Sequence, residues 1–229
     1  MSNPCFLSSS IGKKFLMSIT GLFFVLFMAF HATMNAVHIF SPENYNAICK
    51  FLGANWYALV GTAIIALGFI IHLLYATILT IQNNKARGTD KYNSEVRPAS
   101  VEWASKNMFA LGVIIILGLI IHLYMFWANM QFTEIMGSES AILDGNAISV
   151  ADGSSFIFYW FSQPWVVIAY TVWFFALWFH LTHGFWSAFQ TLGWNNKIWM
   201  SRLKCLSDVL ATIICVAFEA VVIAAFCMA

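Results

Sequence analysis

The segment FLMSITGLFFVLFMAFHATMNAVHIF, residues 15–40, decides the fold. It contains no Asp, Glu, Lys or Arg, and it exceeds the about 20 apolar residues that a helix needs to cross a bilayer core of roughly 30 Å. Lys13 and Lys14 precede it, as they would in a signal peptide, but the apolar core of a cleaved signal usually has only about 7–15 residues. We therefore expect a transmembrane helix that is retained in the mature protein.

Four more segments have the same apolar character, and the composition of the whole chain agrees with them. Of its 229 residues, 61% are hydrophobic and 9% are charged, whereas a soluble domain carries about 25% charged residues. The connections between the segments are short polar stretches, too small to form a separate domain. The sequence therefore predicts a single-domain, all-α membrane protein whose bundle of five transmembrane helices runs at about 15–40, 56–82, 107–131, 156–189 and 207–228.

The distribution of Lys and Arg predicts the orientation of this bundle. Ten of the eleven cations fall on one side of the five-span topology, in the N-terminal segment and in the second and fourth connections, and Lys50 is the exception. Cytoplasmic segments retain Lys and Arg during insertion. We therefore expect the N-terminus in the cytoplasm and the C-terminus outside.

Charge and cysteine spacing exclude several classes of function. The net charge of only +1 gives no basic surface for nucleic acid, so we expect no such partner. The five cysteines are widely spaced and form no CxxC pair, which argues against an iron–sulfur cluster or thioether-linked haem in this chain.

Four of the predicted helices contain histidines, and one from each is a candidate ligand: His31, His72, His122 and His180. A titratable side chain inside a bilayer is costly and indicates function by default. His31 and His122 lie about 16 and 15 residues from the cytoplasmic ends of their helices, which makes them roughly 24 Å deep at about 1.5 Å per residue. His72 and His180 lie about 10 residues from those ends, or roughly 15 Å deep.

These depths sort the four side chains into an outer pair, His31 with His122, and an inner pair, His72 with His180. Two pairs at different levels fit two b-type haems, each held by two axial imidazoles, whereas a Zn²⁺ site would bring its ligands to one point. Two axial imidazoles fill both free coordination positions of the iron. The predicted role is therefore electron transfer rather than oxygen binding.

Small residues lie one helical turn from three of the four histidines: Gly68 beside His72, Gly118 beside His122, and Ala176 and Gly184 beside His180. Missing side chains there predict a slot in which a flat macrocycle approaches the backbone, although close helix packing also explains small residues in membranes. His183 has Phe179 one turn before it, which would fill such a slot. We therefore expect His180, rather than His183, to be the ligand.

Four motifs carry a resemblance to a known family: SITGLFFVLFMAFH at 18–31, GFIIH at 68–72, LIIHLY at 119–124, and HLTHG at 180–184 followed by LGW at 192–194. With their spacing, they cover nearly the whole chain. In these motifs the chain resembles the di-haem cytochrome b membrane anchor subunit of succinate dehydrogenase and quinol:fumarate reductase, the succinate:quinone oxidoreductases.

The resemblance implies a role in respiratory electron transport and, in the oxidative direction, in the tricarboxylic acid cycle. It implies that the first and third motifs hold one haem and the second and fourth the other. An iron–sulfur subunit would dock on the cytoplasmic face and carry a flavoprotein that interconverts succinate and fumarate. Electrons would pass through the inner and outer haems to or from a quinone, menaquinone by the resemblance, in a bacterial cytoplasmic (inner) membrane. This chain would not itself bind succinate.

Some positions depart from the family or leave alternatives open. Some relatives carry a glutamate linked to proton movement two residues before the fourth-motif ligand, where this chain has Trp178. Glu219 within the fifth helix is a candidate proton or quinone contact, and His38 and Glu43 near the outer surface are candidate quinone contacts. Two other functions remain open: the cytochrome b subunit of a formate dehydrogenase or hydrogenase type of complex, and a haem-free, proton-coupled transporter.

Overall fold

The computed structural model describes residues 9–87, 102–194 and 196–228. It is about 85% helical. Within the described residues, five helices are long and apolar enough to cross a membrane: Ser10–Phe40, Trp56–Ala86, Trp103–Ile135, Pro164–Thr191 and Lys197–Met228. The prediction of a mainly helical, multi-pass membrane protein with five apolar helices is confirmed at this level.

The elements follow one another in the order of the chain. The long helices are α1 (Ser10–Phe40), α3 (Trp56–Arg87), α4 (Trp103–His122), α7 (Pro164–Thr191) and α8 (Lys197–Met228). A π-helical segment (Leu123–Phe132) and the short α5 (Thr133–Ile135) continue α4 without a break. Shorter elements are α2 (Pro42–Phe51), β1 (Ser140–Leu143), β2 (Asn146–Ser149) and α6 (Gly153–Phe161).

The segment predicted as the fourth span, 156–189, is divided in the structure. Helix α6 ends at Phe161, and α7 begins at Pro164. Proline has no backbone N–H and disfavours helical geometry in the residue before it, and Gln163 is accordingly extended, with φ −92° and ψ 115°. Only α7 is therefore long enough to cross the membrane.

Helix α7 forms the centre of the bundle. It packs against α8, α4 and α1, and α1 also packs against α8 and α3. The most deeply buried side chains on α7 and α8 are compact, and include Val166, Val222 and Ala225. Helix α3 lies at the edge, with none of the residues in its apolar window buried. Its outward side chains, such as Ile64 and Leu67, suit contact with lipid.

One end of the bundle carries a cap, defined here as α2, the β1–β2 hairpin and α6. The hairpin is antiparallel and turns through Asp144 and Gly145, whose φ angles of 48° and 82° match the Asp-Gly type of tight turn. Asp152 accepts a hydrogen bond from Ser155 N (3.1 Å) at the start of α6 and another from Asn46 Nδ2 (2.7 Å) of α2. These bonds fasten α2 to α6.

Gly153 is closely packed within the cap, so a larger residue at this position is expected to lower the stability. A Cβ placed there would lie 2.3 Å from Cys49 Sγ and 2.9 Å from Tyr45 Cε1. We expect Gly153→Ala to lower the stability by about 1–3 kcal/mol, because overpacking forces neighbouring side chains to shift. Thermal unfolding of the full chain in detergent measures the change.

Gly112 of α4 provides the matched control, because a Cβ there meets nothing within 4 Å. Gly112→Ala is expected to leave the stability unchanged or to raise it by up to about 1 kcal/mol, since alanine is the better helix former. Equal unfolding temperatures for the two variants would contradict the packing described for the cap.

Candidate functional site

The structure brings the His31 and His122 side chains together. Their ring centres lie 5.8 Å apart, with the ring planes nearly perpendicular at 86°. Phe27 stacks on the His31 ring at 5.5 Å, and Trp173 packs against the His122 ring at 5.7 Å. Phe218 of α8 also packs against the His31 ring at 5.6 Å, so this outer pair is partly buried among aromatic side chains from α1, α7 and α8.

The His72 and His180 side chains form a second close pair, called the inner pair. Their ring centres lie 6.5 Å apart at an interplanar angle of 60°. Thr20 of α1 contacts His72, and His31 lies eleven residues further along the same helix. At about 1.5 Å per residue, the two pairs are separated by roughly 16 Å along the bundle.

The helices that carry each pair make little direct contact with each other. Helix α1 packs against α8, α3, α7 and α2, while α4 packs mainly against α7 and, to a small extent, α3. In the described part of the chain, α1 with α4 and α3 with α7 thus share no extended interface. The imidazoles of each pair therefore approach each other across the space between two helices that do not pack directly together.

The ring separation within each pair is close to that of two imidazoles bound to one metal. Two rings bound to one metal through bonds of about 2 Å have centres roughly 6 Å apart, close to both observed separations. Among the described residues there is no group of three or more His, Cys, Asp or Glu side chains that could hold a metal ion. Two ligands per site suit a haem, which supplies the other four nitrogens itself, better than a Zn²⁺ ion.

Thr20 of α1 is the hydrogen-bond partner of the His72 ring. Nδ1 of His72 lies 3.0 Å from Thr20 Oγ1, and the hydroxyl donates its single proton to the Leu16 carbonyl at 2.8 Å. When the Thr20 hydroxyl donates to the Leu16 carbonyl, its oxygen accepts from His72 Nδ1, and Nε2 of His72 keeps a free lone pair. A metal-binding histidine needs this arrangement.

The other ring nitrogens are less completely bonded. Nδ1 of His122 lies 3.3 Å from the Tyr170 hydroxyl, and Nδ1 of His31 lies 3.4 Å from Asn35 Nδ2. Nδ1 of His180 is buried without a hydrogen-bond partner among the described residues. Nδ1 of His38 is also buried without a partner among the described residues, and such nitrogens are uncommon in protein interiors.

The predicted slots beside the histidines differ from one another. At Gly118, a Cβ would lie 2.2 Å from the Trp173 ring, so an indole occupies the slot, and the cavity left there is only about 10 Å³. At Gly184, a Cβ would meet nothing within 4 Å. A flat ring does fit against Gly118, but a macrocycle at the outer pair requires Trp173 to turn away and release its 3.0 Å hydrogen bond to Ile115 O.

His183 belongs to a different cluster, which joins α7 to the start of α4 and to α8. Its Nδ1 lies 3.4 Å from Glu102 Oε2, and its ring packs on Trp186 at 4.8 Å. Lys204 Nζ lies 2.6 Å from Glu102 Oε1 and 4.4 Å above the Trp186 ring. Partial burial would raise the pKa of Glu102, but the hydrogen bonds from Lys204 and His183 outweigh it and hold that pKa below its usual value.

The remaining candidate residues lie in three different environments. Glu219 Oε1 is 2.8 Å from Thr171 Oγ1, while Oε2 is buried with no partner among the described residues. His38 is fully buried beneath the cap, with Nε2 3.0 Å from Ser154 Oγ. Glu43 is exposed on the first turn of α2. The structure therefore places His38 in the interior and Glu43 on the surface.

Sequence reasoning missed several residues that contact the two pairs. Thr20, Asn35 and Tyr170 provide the polar neighbours of the histidines, and Trp173 covers His122. The available signal was that Thr20 and Asn35 are polar residues in an apolar span.

Comparisons of the chain with family models, curated proteins and solved structures found no match. The site is interpreted from its own geometry.

The Glu102 cluster predicts a dependence of stability on pH. Because the folded pKa of Glu102 lies below its usual value of 4.5, the cluster stabilises the fold above that pH, and the stabilisation is lost as the pH falls through the folded pKa. Glu102→Gln should therefore lower the unfolding temperature near neutral pH and converge with the parent protein in acid. Lys204→Met is expected to lower the unfolding temperature near neutral pH by most of the same amount. Curves of unfolding temperature against pH that run parallel for Glu102→Gln and the parent protein would contradict the stabilising role of the cluster.

Proposed function

We propose that this chain is the di-haem cytochrome b anchor subunit of a membrane-bound electron-transfer complex of the succinate:quinone oxidoreductase type. The observation that carries the proposal is the meeting of four histidines from four helices as two pairs, His31 with His122 and His72 with His180. Bound at these pairs, two b haems would each supply one-electron chemistry between Fe(II) and Fe(III). The chain supplies the axial imidazoles and the surroundings.

The arrangement along the bundle supports a path for electrons across the membrane. The roughly 16 Å between the levels of the inner and outer pairs divides the membrane into shorter steps. An aromatic side chain lies beside one ring of each pair: Phe24 lies 5.8 Å from His72, and Phe218 lies 5.6 Å from His31. Such surroundings exclude water. The reduction potential of a bound haem would then be set mainly by its ligands and their hydrogen bonds.

The roles of the partner subunits follow from the family resemblance. The proposal places an iron–sulfur subunit on the end of the bundle opposite the cap, where Lys106, Lys197, Arg202 and Lys204 lie near helix ends. That subunit carries the flavoprotein that acts on succinate or fumarate, and menaquinone exchanges electrons at the cap end. The cap then faces outward from a bacterial cytoplasmic membrane. Co-purification of a flavoprotein with an iron–sulfur protein distinguishes this complex from a formate dehydrogenase or hydrogenase type.

The haem content of histidine variants tests the pairing directly. We expect two b haems per chain in the parent protein and one haem after His31→Ala or His122→Ala, because each variant removes an axial ligand of the outer site. His72→Ala or His180→Ala is expected to remove the other haem. Pyridine haemochrome assays and reduced-minus-oxidised spectra of the purified chain provide the counts.

His183→Ala serves as the matched control, since His183 is engaged with Glu102 one turn from His180. It is expected to keep both haems. Loss of a haem from His183→Ala but not from His180→Ala would show that His183, and not His180, is the axial ligand. Absence of the sharp b-type α-band from the reduced-minus-oxidised spectrum of the parent protein would contradict the proposal and favour a haem-free transporter.

Glu219 is proposed as a proton or quinone contact, because one of its oxygens is buried and unbonded among the described residues. We expect Glu219→Gln to slow quinone turnover by about 100-fold or more, the lower end of the range for loss of a group that transfers protons, while both haems remain. Glu139, which is exposed beside the hairpin, provides the control Glu139→Gln with unchanged turnover. Unchanged turnover in Glu219→Gln as well would exclude this role.

A further inference from the structure

A cleft of about 250 Å³ opens between α4, α7 and α8 at the end of the bundle opposite the cap. Four aromatic side chains line it, one from the start of α4 and three from α7: Trp103, Trp178, Phe179 and Trp186. The Phe179 ring lies 5.0 Å from that of Trp103 and 4.8 Å from that of Trp178. The cleft therefore offers aromatic surface to a flat, apolar group.

Polar side chains face the same cleft. Lys204 Nζ donates to Glu102 Oε1 at 2.6 Å and lies 4.4 Å from the centre of the Trp186 ring. An ammonium group has three N–H donors, so two remain beyond the bond to Glu102. Asp208 lies one turn further along α8, is exposed, and has no hydrogen-bond or ion-pair partner among the described residues. A donor and an acceptor are thus available at separate points of the cleft.

The charges around the cleft select against an ionic ligand. Lys204 balances only one of the two carboxylates, Glu102 and Asp208, so the cleft carries a net negative charge at neutral pH. A phosphate head group would be repelled by the excess carboxylate, and an amine would meet the ammonium of Lys204. The complementary ligand is therefore neutral and flat, with hydrogen-bonding groups at its edge.

A para-quinone head group has these properties in both of its oxidation states. The oxidised form only accepts hydrogen bonds, which matches the remaining donors of Lys204. The reduced form carries two hydroxyl donors, which match the unpaired carboxylate of Asp208. The cleft is somewhat smaller than the about 300–1,000 Å³ that enclose a drug-sized ligand, so it suits a head group whose apolar tail stays in the membrane.

The cleft lies at the level of the inner pair but on another face of α7. Phe179 and Thr182, which both line it, flank His180 in the sequence. At about 1.5 Å per residue, they lie within roughly 3 Å of His180 along the helix axis. A rotation of about 100° per residue turns both of them away from the direction of His180. A ring in the cleft would therefore lie beside the inner pair without occupying the space between its imidazoles.

We propose that this cleft binds the head group of a lipid-soluble para-quinone, with Lys204 as the donor to the oxidised form and Asp208 as the acceptor from the reduced form. It is a second quinone site, separate from the exchange proposed at the cap end. The use of this quinone as an electron carrier rests on the proposed function, whereas binding itself requires no haem.

Photolabelling of the full purified chain with an azido derivative of menadione, a naphthoquinone without a tail, locates the site. We expect labelled peptides from the start of α4 and from α7 between Trp178 and Trp186, and excess menadione should prevent the labelling. Label confined to other surfaces of the bundle would overturn the inference. Displacement by phosphatidylethanolamine or phosphatidylglycerol at the concentrations at which menadione acts would assign the cleft to a phospholipid and overturn it as well.

Titration with menadione, followed by the quenching of tryptophan fluorescence, measures the contribution of the aromatic wall. Trp103→Leu is expected to raise the Kd of menadione by about two- to tenfold, the range for one lost aromatic contact. Trp165→Leu is the matched control, since Trp165 is similarly exposed (55% against 58%) near the start of a long helix at the other end of the bundle. Equal dissociation constants in the two variants would contradict the site.

Asp208→Asn separates ligand binding from a general effect on the fold, because its effect should depend on the oxidation state of the ligand. The Kd of menadiol, kept reduced with dithionite, should rise by about tenfold or more, as expected for a lost hydrogen bond to a charged group, while that of menadione should not rise. Lys204→Met should weaken menadione, and Lys197→Met, exposed at the same helix end, is its control. If Lys204→Met does not fold, Asp208→Asn decides, and equal effects on both oxidation states would refute the assignment.

Failure of this inference can be told apart from failure of the proposed function. A parent chain that binds menadione in the cleft but holds no haem contradicts the proposed function alone. A parent chain with two haems and no menadione in the cleft keeps the proposed function and removes only the second quinone site.

Discussion

The structure depends on one constraint: inside a bilayer, a polar side chain finds no water and must be satisfied by other parts of the protein. Four of the long helices each bring one imidazole to a level where a second imidazole lies within 6.5 Å. The neighbouring polar residues, among them Thr20 and Tyr170, lie within hydrogen-bonding distance of these rings. The positions of the histidines thus constrain which helices face each other, although their backbones make little contact.

The two pairs have different surroundings, and this difference separates their chemistry. The inner pair receives its polar partner from α1, a neighbouring transmembrane helix, as a hydroxyl whose direction is fixed by the helix backbone. The outer pair is bonded to an amide on the same helix as His31, and that amide is held by Tyr45 of the cap. The inner site is therefore built into the bundle, while the outer site depends on a surface element.

Aromatic packing around the outer pair shows why small residues are ambiguous signals. Gly118 and Gly184 both lie one turn from a histidine, yet an indole fills the space at Gly118 and nothing is near Gly184. A glycine indicates only that a flat ring or a neighbouring helix can approach the backbone at that position. What approaches is decided by Trp173, a residue from another helix whose position depends on the crossing of α4 and α7.

The sequence by itself determined the membrane class and the five long apolar helices, because these follow from local composition. It also indicated which histidines lie at the same level. Only the tertiary structure decided that Pro164 divides the fourth apolar segment, that His183 turns toward Glu102, and that His38 is buried beneath Ser154. These features depend on helix rotation and on contacts between residues far apart in the chain, such as Glu102 with Lys204 and Thr20 with His72. Hydropathy and spacing carry no information about rotation, so the partners of the imidazoles could not be predicted from them.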